Sequence, residues 1–254
     1  MKAMVLAAGT GTRLRPLTDM TPKPLIDIGG ATMLEIVLAR LKNAGVAEVI
    51  INTHHLAEQI TDYLAAKNNF GLRVAISHEP ELLDTGGGLK KAGWFFDDGK
   101  HFFLHNADIL STTDLNFLLS RHNDTGALAT LAVADRPSTR RFIFDGRGRL
   151  CGHSAPGATR WAPDKPRDTA RTLAFNGIHV ISPRIFRLMS ETGAFSINDV
   201  YLRLAAAGET IAMADCSRFD WLDIGKPDSL EKARALAAQN GIPRQRGGHS
   251  RRAH

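Results

Sequence analysis

Cysteine is nearly absent. The 254 residues contain two, Cys151 and Cys216, in unrelated contexts and without a Cys-x-x-Cys spacing. That excludes a disulfide-framed scaffold and a zinc ribbon. No apolar stretch approaches the roughly 18 residues of a membrane span, and the apolar start is broken by Gly9 before it reaches signal-peptide length. These shortages predict a cytoplasmic chain without a membrane partner. Internal repeats, low-complexity tracts and Pro/Ser linkers are also missing, which argues against a solenoid or tethered modules. Aromatics are 7% of the residues and do not interleave with basic stripes, so the net charge of +6 does not imply a nucleic-acid partner. Four of those charges, Arg244, Arg246, Arg251 and Arg252, lie past Gly241 in a stretch without an acid. Residues 241–254 are therefore predicted to be a disordered basic tail, and 1–240 one continuous domain that can bury a core unaided.

What is present is an alternation of short apolar runs with helical patterns. Ala3–Ala7 reads as a buried strand. Thr32-Met33-Leu34-Glu35 is a capping box opening a helix with Leu34, Val37, Leu38 and Leu41 on one face, and Gly45 ends it. A strand at Val49–Ile51, a helix at Ala57–Ala66 and a strand at Val74–Ile76 follow. A helix near Leu89–Phe96 then precedes strands at Phe102–Leu104 and Ala127–Val133. This order predicts an α/β fold with a mostly parallel, Rossmann-like sheet covered by helices on both faces. The second half predicts a smaller β-containing elaboration. It holds a hairpin of Phe142–Phe144 and Arg149–Cys151, a surface loop over 153–171, and a strand at Leu173–Ile181. Helices are expected at Pro183–Met189, Ile197–Ala207 and Pro227–Ala238.

The chemistry concentrates after the first strand, in Ala7-Ala8-Gly9-Thr10-Gly11-Thr12-Arg13. A glycine-rich loop at the carboxyl end of a strand offers unpaired N–H groups to an anion. The dinucleotide fingerprint fails because Leu14 stands where a third glycine is needed, and the P-loop fails for want of Gly-Lys-Ser/Thr. What remains is a loop with a guanidinium, Arg13, and then Lys23 between prolines in Thr21-Pro22-Lys23-Pro24-Leu25, two cations suited to phosphate oxygens.

Together, LAAGTGTRLRPLT and TPKPLIDIGG resemble the sugar nucleotidyltransferases, also called nucleotide-sugar pyrophosphorylases. The resemblance covers most of the chain. Asp84-Thr85-Gly86-Gly87-Gly88 is similar to the base-binding glycine turn, and Phe103–Asp108 to the strand that ends in a metal-binding aspartate. Phe175-Asn176-Gly177-Ile178 is similar to the sugar-contacting segment, and Trp221–Gly225 to the motif of a second metal aspartate. The resemblance is strongest to N-acetylmuramate 1-phosphate uridylyltransferases, then to mannose-1-phosphate guanylyltransferases.

It implies that a domain over 1–240 joins a nucleoside triphosphate to a sugar 1-phosphate and releases pyrophosphate, with Mg²⁺ as cofactor. The implied nucleotide contacts are Ala7, Ala8, Gly9, Thr10, Gly11, Thr12, Arg13, Gly86 and Gly87. The implied catalytic groups are Arg13, Lys23, Asp108 and Asp223, the two aspartates being the metal ligands, and Asn176 and Gly177 face the sugar. No general base is needed, because a phosphate monoester with a second pKa of about 6 is already largely dianionic at neutral pH. Positioning and charge neutralisation suffice. The Glu-Glu-Lys-Pro-like segment of hexose-1-phosphate enzymes is missing after the hairpin. Arg160, Lys165, Arg167 and Arg171 of the 153–171 segment are instead expected to meet the carboxylate of a muramic acid. UTP with N-acetylmuramate 1-phosphate is thus the expected pair, GTP with mannose or heptose 1-phosphate the alternative, and an inactive regulatory domain of the same fold the non-enzyme alternative. The oligomeric state stays open. The histidines lack metal spacing, and Trp94 with Phe95 and Phe96 is expected in the core.

Overall fold

A computed structural model describes residues 1–162 and 169–240. The strands are β1 (Lys2–Leu6), β2 (Glu48–Thr53), β3 (Arg73–His78), β4 (Phe102–Asn106), β5 (Ile109–Ser111), β6 (Ala129–Ala134), β7 (Arg141–Phe144), β8 (Leu150–Ala155), β9 (Ala158–Trp161), β10 (Arg171–Ile181), β11 (Ile211–Asp215) and β12 (Trp221–Asp223). The helices are α1 (Leu17–Met20), α2 (Met33–Asn43), α3 (Ala57–Ala66), α4 (Asp84–Lys91), α5 (Leu115–Thr125), α6 (Ile185–Leu188), α7 (Ile197–Ala206) and α8 (Pro227–Asn240).

The main sheet runs β3-β2-β1-β4-β10, with β6 and β11 continuing beyond β10. β10 is antiparallel to both β4 and β6, and β11 is parallel to β6, so every strand of this core except β10 points the same way. Alternate residues of one strand enter two cores, as burial on both faces requires. Met4, Phe102 and Leu104 pack with α4 and α7, including Leu89, Val200 and Tyr201. Ala3, Val5 and Phe103 pack with Leu34, Leu38 and Leu41 of α2, Leu64 of α3 and Leu118 of α5. The expected two-faced, mostly parallel α/β sheet is what forms.

Several local expectations change. Thr32 Oγ1 accepts from the Glu35 N–H at 3.1 Å as a capping box requires, but Glu35 Oε2 accepts from the Tyr63 hydroxyl at 3.0 Å instead of closing the box. The segment 153–171 is not simply a loop. β8 runs to Ala155, turns at Pro156-Gly157 (φ +78°) and returns as β9, while β10 already starts at Arg171. β7, β8 and β9 thus form an antiparallel extension attached to β10. Lys165 and Arg167 lie outside the described residues, as does the tail 241–254. Trp94 is 62% exposed, so it is not the core residue expected, although Phe96 is buried.

A third, smaller core matters most for function. Leu14, Ile26, Met33, Ile36, Ile224, Leu230 and Ala233 are buried together. This cluster ties the loop bearing Arg13 and Lys23 to α8 and to the strand end bearing Asp223.

Candidate active site

The carboxyl ends of β1 and β4 border a cleft of about 400 Å³. Ala7, Ala8, Gly9 and Thr10 form one wall, and Lys23, Asn106, Ala107 and Asp108 another. A Cβ on Gly9 would meet no atom within 4 Å, so the fold leaves open space where a ligand can approach the backbone. Gly11 is different. It holds φ +66°, and a Cβ there would stand 2.8 Å from Thr18 Cγ2 and 3.2 Å from Lys23 Cβ, so the loop folds tightly against the lysine segment. Thr18 Oγ1 donates to the Gly11 carbonyl at 2.9 Å and fixes that contact.

Lys23 is 9% exposed, and its ammonium pairs with Asp108 Oδ2. Asp108 and Asp223 come together through a short ribbon. β5 and β12 pair antiparallel with Asp223 opposite Ile109, and the Ile224 N–H donates to the Asp108 carbonyl at 3.0 Å. Burial and the neighbouring Asp108 push the Asp223 carboxyl upward, opposed by Lys23, Arg13 and Arg136. Asp223 Oδ1 is buried without a hydrogen-bond partner among the described residues. Two adjacent carboxylates, one with an oxygen the protein leaves unsatisfied, fit a divalent cation. Among the described residues no group of three His, Cys, Asp or Glu side chains could hold a metal. So few protein ligands suit Mg²⁺, which retains water and takes phosphate oxygens.

Arg13 is exposed and lies outside the cleft lining, yet its guanidinium comes near Asp223. A Cβ on Gly225 would stand 2.5 Å from Arg13 Nη2 and 2.8 Å from Asp223 Oδ1, so glycine there admits both groups. Thr12 is likewise exposed and off the lining. Gly86 and Gly87 lie behind the lining. They sit inside α4, both N–H groups donate to the Phe195 carbonyl at 2.9 and 3.2 Å, and neither lines the cleft. Cβ atoms there would stand 2.5 Å from the Phe195 ring and 2.6 Å from the Gly193 carbonyl. Close packing accounts for these glycines, and Asp84 and Thr85 take the place at the cleft. Asn176 and Gly177 lie in a bulge of β10, also off the cleft lining but beside β12, since the Trp221 indole donates to the Asn176 carbonyl at 2.9 Å. Of the cations expected for a sugar carboxylate, Arg160 pairs with Asp199 at 2.6 Å and Arg171 with Asp215 at 2.9 Å, so their charges are already matched within the protein.

Sequence reasoning missed the support of the loop. The Ala7 N–H donates to Asn52 Oδ1 at 2.7 Å, Asn52 Nδ2 donates to Glu79 Oε1 at 2.8 Å, and Glu79 Oε2 accepts from the Leu83 N–H at 3.0 Å. Asn52 and Glu79 both border the cleft. Their only signal in the sequence is a polar residue closing an apolar strand.

Comparisons with known proteins agree with this geometry. The family model described as "Nucleotidyl transferase" matches residues 2–240. An N-acetylmuramate alpha-1-phosphate uridylyltransferase from Neisseria meningitidis is 33% identical over 93% of this chain and 98% of its own length. A UTP–glucose-1-phosphate uridylyltransferase from Synechocystis sp. is 30% identical over 94% of the chain, which spans 64% of that protein. A probable mannose-1-phosphate guanylyltransferase from Oryza sativa is 31% identical, and the chain spans 62% of it. Among solved structures, a UDP-glucose pyrophosphorylase from Acinetobacter baumanii superposes with a TM-score of 0.77 at 19% identity, covering 95% of each chain. HddC from Yersinia pseudotuberculosis, complexed with GMP-PN, gives 0.73 at 22% over 92% of this chain and 98% of that one. These likenesses fit the fold described above, and the family match over nearly all the described residues gives the conclusion: the chain belongs to the nucleotidyl transferase family.

Proposed function

We propose that the chain transfers a nucleotidyl group from UTP to N-acetylmuramate 1-phosphate, forming a UDP-sugar and pyrophosphate. One observation carries the reaction class: Lys23, Asp108 and the unsatisfied Asp223 Oδ1 converge beside a cleft whose other wall is loop backbone. For the substrate, the uridylyltransferase of N. meningitidis is matched over 98% of its length, whereas the guanylyltransferase from O. sativa is matched over 62%.

The Ala7–Thr10 backbone holds the triphosphate. Arg13 neutralises the β and γ phosphates, where charge builds as pyrophosphate departs. An oxygen of the sugar phosphate attacks the α-phosphorus. The bond from that phosphorus to the α,β-bridging oxygen breaks, and pyrophosphate leaves with the electron pair. No proton need move, since the attacking group is already anionic. Lys23 stands where both phosphates must approach, and its ammonium lowers their repulsion most when they are closest, in the transition state. Asp108 and Asp223 would hold Mg²⁺, which when bound supplies further neutralisation of phosphate oxygens. A panel of UTP, GTP, CTP and dTTP against sugar 1-phosphates, read by pyrophosphate release, tests the reading. UTP with N-acetylmuramate 1-phosphate should give the highest kcat/KM. A clear preference for GTP with mannose or heptose 1-phosphate would overturn the substrate assignment, and no release from any pair would overturn the reaction class.

A further inference from the structure

Arg136 follows β6 and belongs to no motif in the sequence. Its guanidinium lies over the Trp221 indole, with Cζ 3.3 Å from the ring centroid. Nη2 donates to the Phe175 carbonyl at 2.6 Å and Nε to Asn176 Oδ1 at 3.1 Å. Among the described residues Nη1 has only the Pro137 carbonyl, at 3.5 Å, the outer limit of a hydrogen bond. The side chain is thus fixed by stacking and two good bonds while one edge of the fork keeps its donors almost unused. Its acceptors are all uncharged. By contrast Arg141, Arg160 and Arg171 each pair with a carboxylate, Asp135, Asp199 and Asp215 respectively. Holding a half-buried cation without an ion pair has a cost, and burial pushes the Arg136 guanidinium down to about 10. The nearby Asp223 carboxylate offsets part of that cost without bonding to the fork, and an oxyanion arriving at its open edge would offset more.

Two neighbours say where that charge belongs. Trp221 and Asp223 are two apart on β12 and so face the same side, which sets Arg136 next to the proposed cation site. Asn176 is 1% exposed, and with Oδ1 held by a residue that can only donate, its amide cannot flip. The amide Nδ2 is left with no acceptor among the described residues. The bulge therefore leaves two donors underused side by side, the Asn176 amide and the Nη1 edge of Arg136.

We infer that Arg136 is a binding residue on the acceptor side of the reaction, its free guanidinium edge receiving an oxyanion of the sugar 1-phosphate. The inference rests on the nucleotidyl-transfer reading. The oxyanion is either the 1-phosphate or a carboxylate on the sugar, groups a guanidinium fork binds alike. N-acetylmuramate 1-phosphate and N-acetylglucosamine 1-phosphate separate them, since only the first carries a carboxylate.

The experiment measures steady-state KM for each sugar 1-phosphate and for UTP, and calorimetric Kd for each sugar 1-phosphate without UTP, in wild type, Arg136→Met and Arg136→Lys. Arg136→Met should raise KM and Kd for the sugar by about 10- to 100-fold, the range for one charged hydrogen bond, and leave KM for UTP within about twofold. Arg136→Lys, which keeps a charge but loses the fork, should recover part of the loss. An effect on both sugars assigns the phosphate, and an effect on the muramate alone assigns the carboxylate. Unchanged sugar constants in Arg136→Met, or equal losses for sugar and UTP, would overturn the inference. If the wild type released no pyrophosphate yet Kd still rose in the variants, the reaction class would fall and the anion site would stand.

Discussion

Replacing Gly225 by alanine isolates the placement of two functional groups from the stability of the fold. Its backbone is not in the left-handed region, so alanine is tolerated there conformationally. The new methyl would stand 2.5 Å from Arg13 Nη2 and 2.8 Å from Asp223 Oδ1. Ordinary contact for a Cβ begins near 3.4 Å, so each group must retreat by just under 1 Å or just over half of that. Both are ends of side chains, and the buried neighbours Ile224 and Leu230 need not move. Stability should therefore change by less than about 1 kcal/mol. Catalysis by positioning is far less forgiving, since a misplacement of about 1 Å costs on the order of 100-fold. Pyrophosphate release under saturating substrates should fall by about that factor while the thermal midpoint stays within a few degrees. A Gly225→Ala enzyme with wild-type turnover would mean that Arg13 and Asp223 do not act where they stand.

Asp108→Asn and Asp223→Asn should each reduce turnover by at least about 100-fold without loss of fold. Asp223→Asn should also raise the thermal midpoint in Mg²⁺-free buffer, because it removes a partly buried charge facing Asp108; a lowered midpoint would count against that repulsion. Asn52→Ala leaves the Ala7 N–H and Glu79 without their shared partner and should cost about 2 kcal/mol in urea denaturation. A cost below about 0.5 kcal/mol would mean the chain of bonds does not support the loop. Cys151 and Cys216 are fully buried, and burial pushes the Cys216 thiol up to about 11, so neither should react with a thiol reagent before unfolding.

Much of the fold is legible because local and tertiary signals agree. The alternation through Ile76, the Thr32 cap and the Gly45 stop all form as the pattern suggests, since each depends on neighbours in sequence. α5 escapes notice because only Leu115, Leu118 and His122 of its eleven residues are buried. β9 escapes because its residues are exposed or half-buried, held by pairing with β8 and not by an apolar face. β5 and β12 are three residues each, too short for any period to show.

The site divides the same way. Lys23, Asp108 and the Ala7–Thr10 backbone stand in contiguous motifs, and the fold assembles them around one cleft. Asn52, Glu79 and Arg136 act through partners 27 to 45 residues away, so their roles exist only once β1, β2, β6 and β10 are side by side. Gly86 and Gly87 show the converse. Their glycine run reads in the sequence as a ligand turn, and the packing against Phe195 that also requires glycine there comes from a segment more than 100 residues on.

The central claim is that Lys23 is a catalytic charge and not a docking group. It is tested most directly by comparing wild type with Lys23→Met for single-turnover pyrophosphate release at saturating UTP and sugar 1-phosphate, alongside UTP binding. The rate should fall by at least about 100-fold while the Kd for UTP changes by less than about fivefold, because the ammonium acts mainly as the phosphates close. An unchanged rate with weakened UTP binding would contradict the account.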